Sequence, residues 1–266
     1  MSDGKFSLEQ IREHWTRQAL EHGPSPAASW SDVGVIEMEI REISRYMVDG
    51  ERVLDMGCAN GYSTVQFAAQ KRIVIRGLDL IPEMIAEARA RLPAVEAGLR
   101  GVVDFDVGDI TRLSDPDDSY DKVVVIRVVI NLGDWRRQLQ GLGECIRVLK
   151  PGGLLLLSEA TLQGWRRLNT FRREWGLSDI PMPPFNRYVD QEELCKAVAP
   201  RLELLELLDF ASTYYVGTRV LKPLLAQALG AAVDVANPRM EWNRWFAQLP
   251  AAGDYGTQKL FVFRKA

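Results

Sequence analysis

The chain has 266 residues, of which 47% are hydrophobic and 26% are charged. This composition is that of an ordinary globular protein, so it excludes disordered, collagen-like and disulfide-scaffold classes. The 33 Lys and Arg residues nearly balance the 36 Asp and Glu residues, giving a formal net charge of −3. The net charge therefore provides no overall attraction to nucleic acid or to an anionic membrane. The length predicts one large domain, or one domain with a substantial insertion.

The three cysteines, Cys58, Cys145 and Cys195, are far apart and form no CxxC pair. The sequence therefore predicts neither a zinc site, nor another metal site, nor a disulfide framework. The N-terminal segment lacks the continuous apolar stretch of a secretory signal, and no segment approaches the roughly 20 apolar residues that span a bilayer. These features predict a cytoplasmic protein without a membrane partner.

Hydrophobic periodicity predicts helices and strands in alternation along the first 160 residues. The predicted helices cover 7–20, 35–47, 64–70, 82–92 and 135–149. The predicted strands cover 52–55, 73–78, 102–107, 122–128 and 154–157. This order predicts an α/β fold with a doubly wound, Rossmann-like sheet that is mostly parallel.

The last hundred residues depart from this alternation. Two further strands are predicted at 202–210 and 259–263, the last of them antiparallel, while the segments around them are too long for ordinary connections. We therefore expect a helical cap over the substrate, inserted at 161–200 and 213–253. The predicted organisation is an N-terminal helical lid at 1–50, a cofactor-binding core at 51–160, and remaining core strands with the cap at 161–266.

The most informative motif is the loop after the first strand, which reads Asp-Met-Gly-Cys-Ala-Asn-Gly over 55–61. Its small residues allow backbone amides to approach a ligand closely. Asp79 ends the second strand, Asp109 follows the third, and Arg127 follows the fourth. The carboxyl ends of parallel strands meet at one edge of the sheet, which is where open α/β sheets bind ligands.

In strand order and motif spacing, the region from Arg52 to Glu159 resembles the class I S-adenosylmethionine-dependent methyltransferases. The resemblance implies S-adenosyl-L-methionine as the cofactor. It places the methionine end in the loop, the ribose hydroxyls on Asp79, the adenine at Asp109 and Ile110, and the methionyl amine near the Arg127 backbone. The residues that it assigns to the cofactor are Asp55, Gly57, Cys58, Ala59, Asn60, Gly61, Asp79, Leu80, Asp109, Ile110 and Arg127.

A nicotinamide dinucleotide is the competing cofactor for such a sheet. Its GxGxxG fingerprint, begun at Gly57, would require glycines where this chain has Ala59 and Tyr62. Asp79 suits a ribose independently of any resemblance, because a carboxylate accepts two hydrogen bonds from a vicinal diol. The motif therefore favours an adenosyl ligand without a pyrophosphate.

An oxygen nucleophile usually requires a general base. The candidate bases are His22, which lies beside a loop, His14 in the same segment, and Glu159 at the end of the fifth strand. Other residues combine hydrogen-bonding groups with flat faces and are predicted to contact the substrate. They are Trp30, Asn131, Asn186, Arg187, Tyr188, Tyr214, Tyr215 and Arg219.

The predicted function is in-line methyl transfer to a small molecule, with O-methylation of a sugar or secondary metabolite favoured. N-methylation and C-methylation remain open. So do an RNA methyltransferase and a non-catalytic regulatory protein that binds the cofactor, although the net charge favours a small-molecule partner over nucleic acid. A cap rich in Trp and Leu would close over the substrate or pair two copies in a homodimer.

Overall fold

The computed structural model describes residues 6–230 and 234–266. Residues 1–5 of the predicted lid and 231–233 of the predicted cap lie outside this description. The strands are β1 (Arg52–Met56), β2 (Val74–Asp79), β3 (Val102–Val107), β4 (Tyr120–Ile126), β5 (Leu149–Ala160), β6 (Leu202–Leu208) and β7 (Gln258–Lys265). They form one seven-stranded sheet in the order β3-β2-β1-β4-β5-β7-β6.

The sheet is parallel from β3 to β5, and β7 runs antiparallel to both of its neighbours, β5 and β6. The predicted Rossmann-like sheet with an antiparallel last strand is therefore confirmed. Strand β5 begins at Leu149, five residues before the predicted start, because the register against β4 shifts between Tyr120 and Lys122. The Pro151-Gly152-Gly153 turn lies within this irregular stretch of β5.

The helices lie on both faces of the sheet. They are α1 (Leu8–His22), α2 (Val33–Ser44), α3 (Tyr62–Gln70), α4 (Pro82–Val95), α5 (Trp135–Val148), α6 (Leu162–Glu174), α7 (Gln191–Val198), α8 (Ser212–Val216), α9 (Lys222–Leu229) and α10 (Glu241–Phe246). A capping box between Ser7 and Gln10 starts α1, and Gly23 ends it. A π-helical turn, Gly217–Leu221, joins α8 to α9. Within the described ranges, no helix is long and apolar enough to cross a membrane.

Alternation along the central strands divides the core into two layers. In β4, Val123 and Val125 pack with α5 and α7, whereas Val124 and Ile126 pack with α2, α3, α6, α8 and α10. The continuous apolar run of β4 is thus buried on both faces. The two layers leave the carboxyl ends of β1 to β5 free to form a site at one edge.

Candidate active site

A cavity of about 710 Å³ opens at the carboxyl edge of the sheet, beneath α1. It collects most of the residues that the sequence predicts for the site. Those that line it are Asp55, Gly57, Cys58, Ala59, Asp79, Leu80, Asp109, Ile110, Arg127, Trp30, Asn131, Asn186, Tyr188, Tyr215 and Arg219. The remaining predicted residues, His14, His22, Asn60, Gly61, Glu159, Arg187 and Tyr214, do not line it.

The loop between β1 and α3 adopts left-handed backbone angles, with φ of +80° at Gly57, +48° at Ala59 and +74° at Gly61. A Cβ at Gly57 would collide with the side chain of Val128 on the neighbouring turn. Glycine is therefore required at Gly57 both for its angle and for its close contact. Ala59 shows that the loop accommodates one methyl group at a left-handed position.

We predict that Gly57→Ala lowers the free energy of unfolding by about 1–3 kcal/mol more than Gly50→Ala. Gly50 is the matched control because its φ is +94°, yet a Cβ added there would meet no atom within 4 Å. In both variants an alanine must adopt a positive φ, which strains the backbone. Only in Gly57→Ala does the added methyl group also collide with Val128. Urea denaturation of both proteins measures the difference, and equal losses would contradict the contact.

Asp79 is held by the loop that it faces. Its Oδ2 accepts a hydrogen bond from the backbone N–H of Ala59 at 2.9 Å, and its Oδ1 accepts one from that of Ile81 at 2.9 Å. Burial raises the pKa of Asp79 to about 6, against the lowering effect of these two backbone donors. A carboxylate has further lone pairs, so Asp79 retains capacity for a ligand diol.

Asp55 and Asp109 occupy the ends of β1 and β3. Asp55 Oδ2 accepts a hydrogen bond from Thr64 Oγ1 at 2.6 Å, and burial raises the pKa of Asp55 to about 7. Asp109 Oδ1 accepts bonds from the N–H and hydroxyl of Thr111. Over residues 6–230 and 234–266, Asp109 Oδ2 has no hydrogen-bond partner, so it is available to an amino group of a ligand.

Arg127 belongs to a buried polar network that was not predicted from the sequence. Its backbone, with φ of +55°, donates to Ser158 O at 2.9 Å, while its guanidinium pairs with Glu39 and lies 5.0 Å from the Trp30 ring centroid. Ser158 Oγ and Gln258 Nε2 also donate to Glu39, which is 1% exposed. Burial raises the pKa of Glu39, and Arg127 and the two other donors oppose that rise. The sequence signal for this network was the position of Glu39 among the apolar residues of α2.

Asn60 ties the loop to the N-terminal segment and does not line the cavity. Its Nδ2 donates to the carbonyls of Gly23 and Ser25, both at 2.8 Å. Arg91 reinforces this junction by donating to the carbonyls of Pro24 and Asn60. These bonds anchor the end of α1 over the site.

None of the three predicted bases reaches the cavity. His14 stacks on Phe185 with ring centroids 4.3 Å apart, and burial lowers its pKa. His22 lies in the last turn of α1, outside the cavity lining. Glu159 is fully buried, and its Oε1 accepts from the N–H groups of Val128 and Val129 at 2.9 and 2.6 Å. These bonds hold the backbone that follows β4, and burial raises the pKa of Glu159 to about 8.

Two predicted substrate residues also lie outside the cavity. The backbone N–H of Arg187 donates to Ile130 O at 2.7 Å, and its side chain lines a separate, smaller pocket. Tyr214 is fully buried, and its hydroxyl donates to Asp32 at 2.6 Å. Successive residues on a helix point in different directions. Tyr215 therefore lines the cavity, while Tyr214, the residue before it, does not.

The part of the cavity lining at the ends of β4 and β5 and at the beginning of β7 is mainly aromatic and apolar, and we call it the aromatic chamber. Its residues are Trp30, Arg127, Ala160, Trp165, Leu168, Ile180, Pro181, Tyr188, Tyr215, Arg219, Thr257 and Gln258. Trp165 donates its indole N–H to Ile180 O at 2.8 Å, which fixes two walls of the chamber together. This wall was not predicted from the sequence, because the periodicity of α6 also fits an ordinary surface helix.

Comparison with known proteins shows what the central part of the chain is similar to. Residues 53–153 match the family model of a methyltransferase domain. A probable S-adenosylmethionine-dependent methyltransferase of Mycolicibacterium smegmatis is 40% identical over 109 residues, which are 41% of this chain and 38% of that protein. The 27-O-demethylrifamycin SV methyltransferase of Amycolatopsis mediterranei is 29% identical over 113 residues, 42% of this chain and 40% of that protein. The matches thus span about two fifths of the length of these relatives.

Among solved structures, the PH0226 protein of Pyrococcus horikoshii shares the fold with a TM-score of 0.57 and 18% identity. That alignment covers 87% of this chain and 89% of the other. The central part of this chain, residues 53–153, is therefore similar to the methyltransferase domain of S-adenosylmethionine-dependent methyltransferases.

Proposed function

We propose that this chain transfers a methyl group from S-adenosyl-L-methionine to an oxygen of a small molecule with an apolar, ring-containing body. The observation that carries the proposal is one cavity that is lined both by acidic residues and by aromatic side chains. Acidic residues at the ends of β1, β2 and β3 line part of the cavity, and the aromatic chamber lines another part. A secondary metabolite fits this apolar lining better than a sugar does.

The residues of the acidic part fit the proposed cofactor. Asp79 retains lone pairs for a ribose diol, and Asp109 Oδ2 is free to accept from an adenine amino group. Gly57 lets the loop pack directly against Val128, where a Cβ would collide. Asp55 and Asp79 would repel a pyrophosphate, whereas a sulfonium cation suits carboxylates and aromatic faces.

The bound cofactor would supply a methyl group on a positively charged sulfur. The chain contributes position, since an in-line displacement requires the acceptor atom to meet the methyl carbon along one axis. Trp30, held over Arg127, and Tyr215, held over Arg219, provide flat faces for an acceptor ring. Leu168 and Ile180 add apolar surface to the same chamber.

A small acceptor fits the covered shape of the cavity better than RNA does. Helix α1 lies over the mouth, where Leu8, Ile11 and Trp15 line the cavity. The backbone N–H of Phe6 donates to Pro184 O at 3.1 Å, and His14 stacks on Phe185. A polymer would require this cover to open along its length.

Two further expectations remain proposals. A cytoplasmic location is supported by Cys58, Cys145 and Cys195, all of which are free thiols. A homodimer is supported by exposed leucines on β6, a strand at the edge of the sheet. Fractionation of cells and light scattering after gel filtration test these two proposals respectively.

The direct test of the function is methyl transfer from isotope-labelled S-adenosylmethionine to a panel of aromatic hydroxyl, amine and activated-carbon acceptors. We expect the acceptors with an aromatic hydroxyl to give a labelled O-methyl product. Leu168→Arg should abolish the methylated product while cofactor binding persists. The reason is that the arginine side chain would occupy the aromatic chamber and place a charge there. Leu20→Arg is the control, since Leu20 is 73% exposed on α1. Cofactor binding without methylation of any acceptor would favour a non-catalytic binding protein.

Cofactor binding should weaken in acid because ribose recognition requires the Asp79 carboxylate. With a pKa of about 6, Asp79 is ionised above that pH and becomes protonated as the pH falls through it. We expect the affinity for S-adenosylhomocysteine to be about tenfold lower at pH 5 than at pH 8. Calorimetry at both pH values measures the change in affinity. Asp79→Asn should remove the part of this pH dependence that comes from Asp79. A pH dependence that Asp79→Asn leaves intact would assign the titration to another group.

A further inference from the structure

The aromatic chamber contains cations and hydrogen-bond donors but no free base. Its titratable lining residues are Arg127, Tyr188, Tyr215 and Arg219. The acidic residues of the cavity lie elsewhere, on α1 or at the ends of β1, β2 and β3, and they are Glu9, Asp55, Asp79 and Asp109. Within the described part of the chain, no histidine lines the cavity.

Two carboxylates lie behind the chamber wall, and both are already paired. Asp32 accepts from Arg219 Nη2 at 2.5 Å and from the Tyr214 hydroxyl at 2.6 Å. Glu39 pairs with Arg127 and accepts from two more donors. Neither carboxylate lines the cavity, so neither is placed to remove a proton from an acceptor.

Two further cationic side chains, Arg172 and Lys222, lie near Arg219. Arg172 donates to the carbonyl of Arg219, and Lys222 donates to Asn237 O and Asn243 Oδ1 at 2.8 and 2.9 Å. Among residues 6–230 and 234–266, neither Arg172 nor Lys222 forms a salt bridge. Burial lowers the pKa of both side chains, while Asp179 near Arg172 and Asp234 near Lys222 act in the opposite direction.

Donors remain free on the chamber side. Arg219 uses Nη1 for Thr218 and Nη2 for Asp32, which leaves other N–H groups of the guanidinium for a ligand. The hydroxyls of Tyr188 and Tyr215 have no hydrogen-bond partner in the described ranges. Burial raises the pKa of Tyr188 to about 12 and also raises that of Tyr215, so both hydroxyls act as donors.

We propose that the methyl acceptor is an oxygen acid, namely a phenol, an enol or a carboxylic acid, that binds as its anion to Arg219, Tyr188 and Tyr215. This inference rests on the proposed function. The acceptor loses its proton to solvent before transfer. Its oxygen then forms the new bond to the methyl carbon with its own lone pair, while the electrons of the broken carbon–sulfur bond stay on sulfur. No general base of the chain takes part.

Matched aromatic probes test the anion preference without turnover. We would titrate 2-naphthoate, 2-naphthol and 2-naphthylmethanol at pH 8 into the full chain saturated with S-adenosylhomocysteine. We expect 2-naphthoate to bind at least about tenfold more tightly than the neutral 2-naphthylmethanol, because charge-assisted hydrogen bonds favour the carboxylate. Equal binding of these probes, or no binding of 2-naphthoate, overturns the inference.

Variants separate the proposed contacts from general effects on folding. Tyr188→Phe combined with Tyr215→Phe should weaken 2-naphthoate by about tenfold and leave 2-naphthylmethanol unchanged. Tyr46→Phe is the control, because its hydroxyl donates to Glu206 on the surface. Arg219→Met should abolish the preference, and the tyrosine variants decide the question where Arg219→Met fails to fold. An unchanged preference in the double variant overturns the assignment.

The failure of this inference is distinguishable from failure of the proposed function. Binding of S-adenosylhomocysteine is measured first in the same calorimeter. Binding of that ligand with no anion preference contradicts the acceptor class and leaves the methyltransferase proposal standing. No binding of that ligand contradicts the proposed function, and titration of 2-naphthoate into the ligand-free chain still tests the chamber.

Discussion

Asp79→Ala is expected to weaken S-adenosylmethionine binding by about 100-fold, equivalent to about 2.7 kcal/mol. The substitution removes the carboxylate proposed to accept two ribose hydroxyls, each a charge-assisted bond. It also leaves the N–H groups of Ala59 and Ile81 without their present acceptor, so the loop would lose its anchor. Equilibrium dialysis with labelled cofactor measures the change.

Asp104→Ala is the matched control for this variant. Asp104 lies on the neighbouring strand β3, three residues before its carboxyl end, where its side chain is 75% exposed and interacts with Arg76 only at 3.9 Å. We expect its cofactor affinity to stay within about twofold of the parent chain. A loss of less than about fivefold in Asp79→Ala would contradict the role of Asp79, provided that circular dichroism shows both variants folded.

Glu39→Ala is expected to lower the free energy of unfolding by about 3–5 kcal/mol. Glu39 is 1% exposed and is the ion-pair partner of Arg127, so its removal leaves a largely buried guanidinium without compensation. Ser158 and Gln258 lose an acceptor as well. Urea denaturation followed by fluorescence measures the loss.

Glu42→Ala provides the comparison on the same helix. Glu42 pairs with Arg41 and Arg45, whose side chains are 55% and 65% exposed. Solvent screening makes such pairs weak, and we expect a loss of at most about 1 kcal/mol. Equal losses in the two variants would show that the buried network does not stabilise α2 against the sheet.

The sheet and the acidic part of the site were predictable because their signals are local. A strand that is buried on both faces reads as a continuous apolar run, and its end is marked by the residues that follow. Asp55, Asp79 and Asp109 therefore reach one cavity through strand order alone. The sequence also predicted Arg127 there, on the basis of its position after the fourth strand.

The missed and misplaced residues depend on tertiary contacts with no sequence period. Whether Glu39 faces solvent or Arg127 is decided by how α2 packs against the ends of β4 and β5. His14 is chemically suited to be a base. Its ring instead stacks on Phe185, so it packs in the cover that α1 forms over the cavity. Likewise Tyr214 and Tyr215 differ in role because a single residue step rotates the side chain to another face of the helix.

The central claim is that this cavity binds an adenosyl cofactor, and calorimetric titration of S-adenosylhomocysteine into the parent chain tests it most directly. NADH is the control ligand, because it shares the adenosine ribose but carries a pyrophosphate. We expect a dissociation constant for S-adenosylhomocysteine in the micromolar range and no binding of NADH. A folded chain that binds NADH, or that binds neither ligand, would contradict the account.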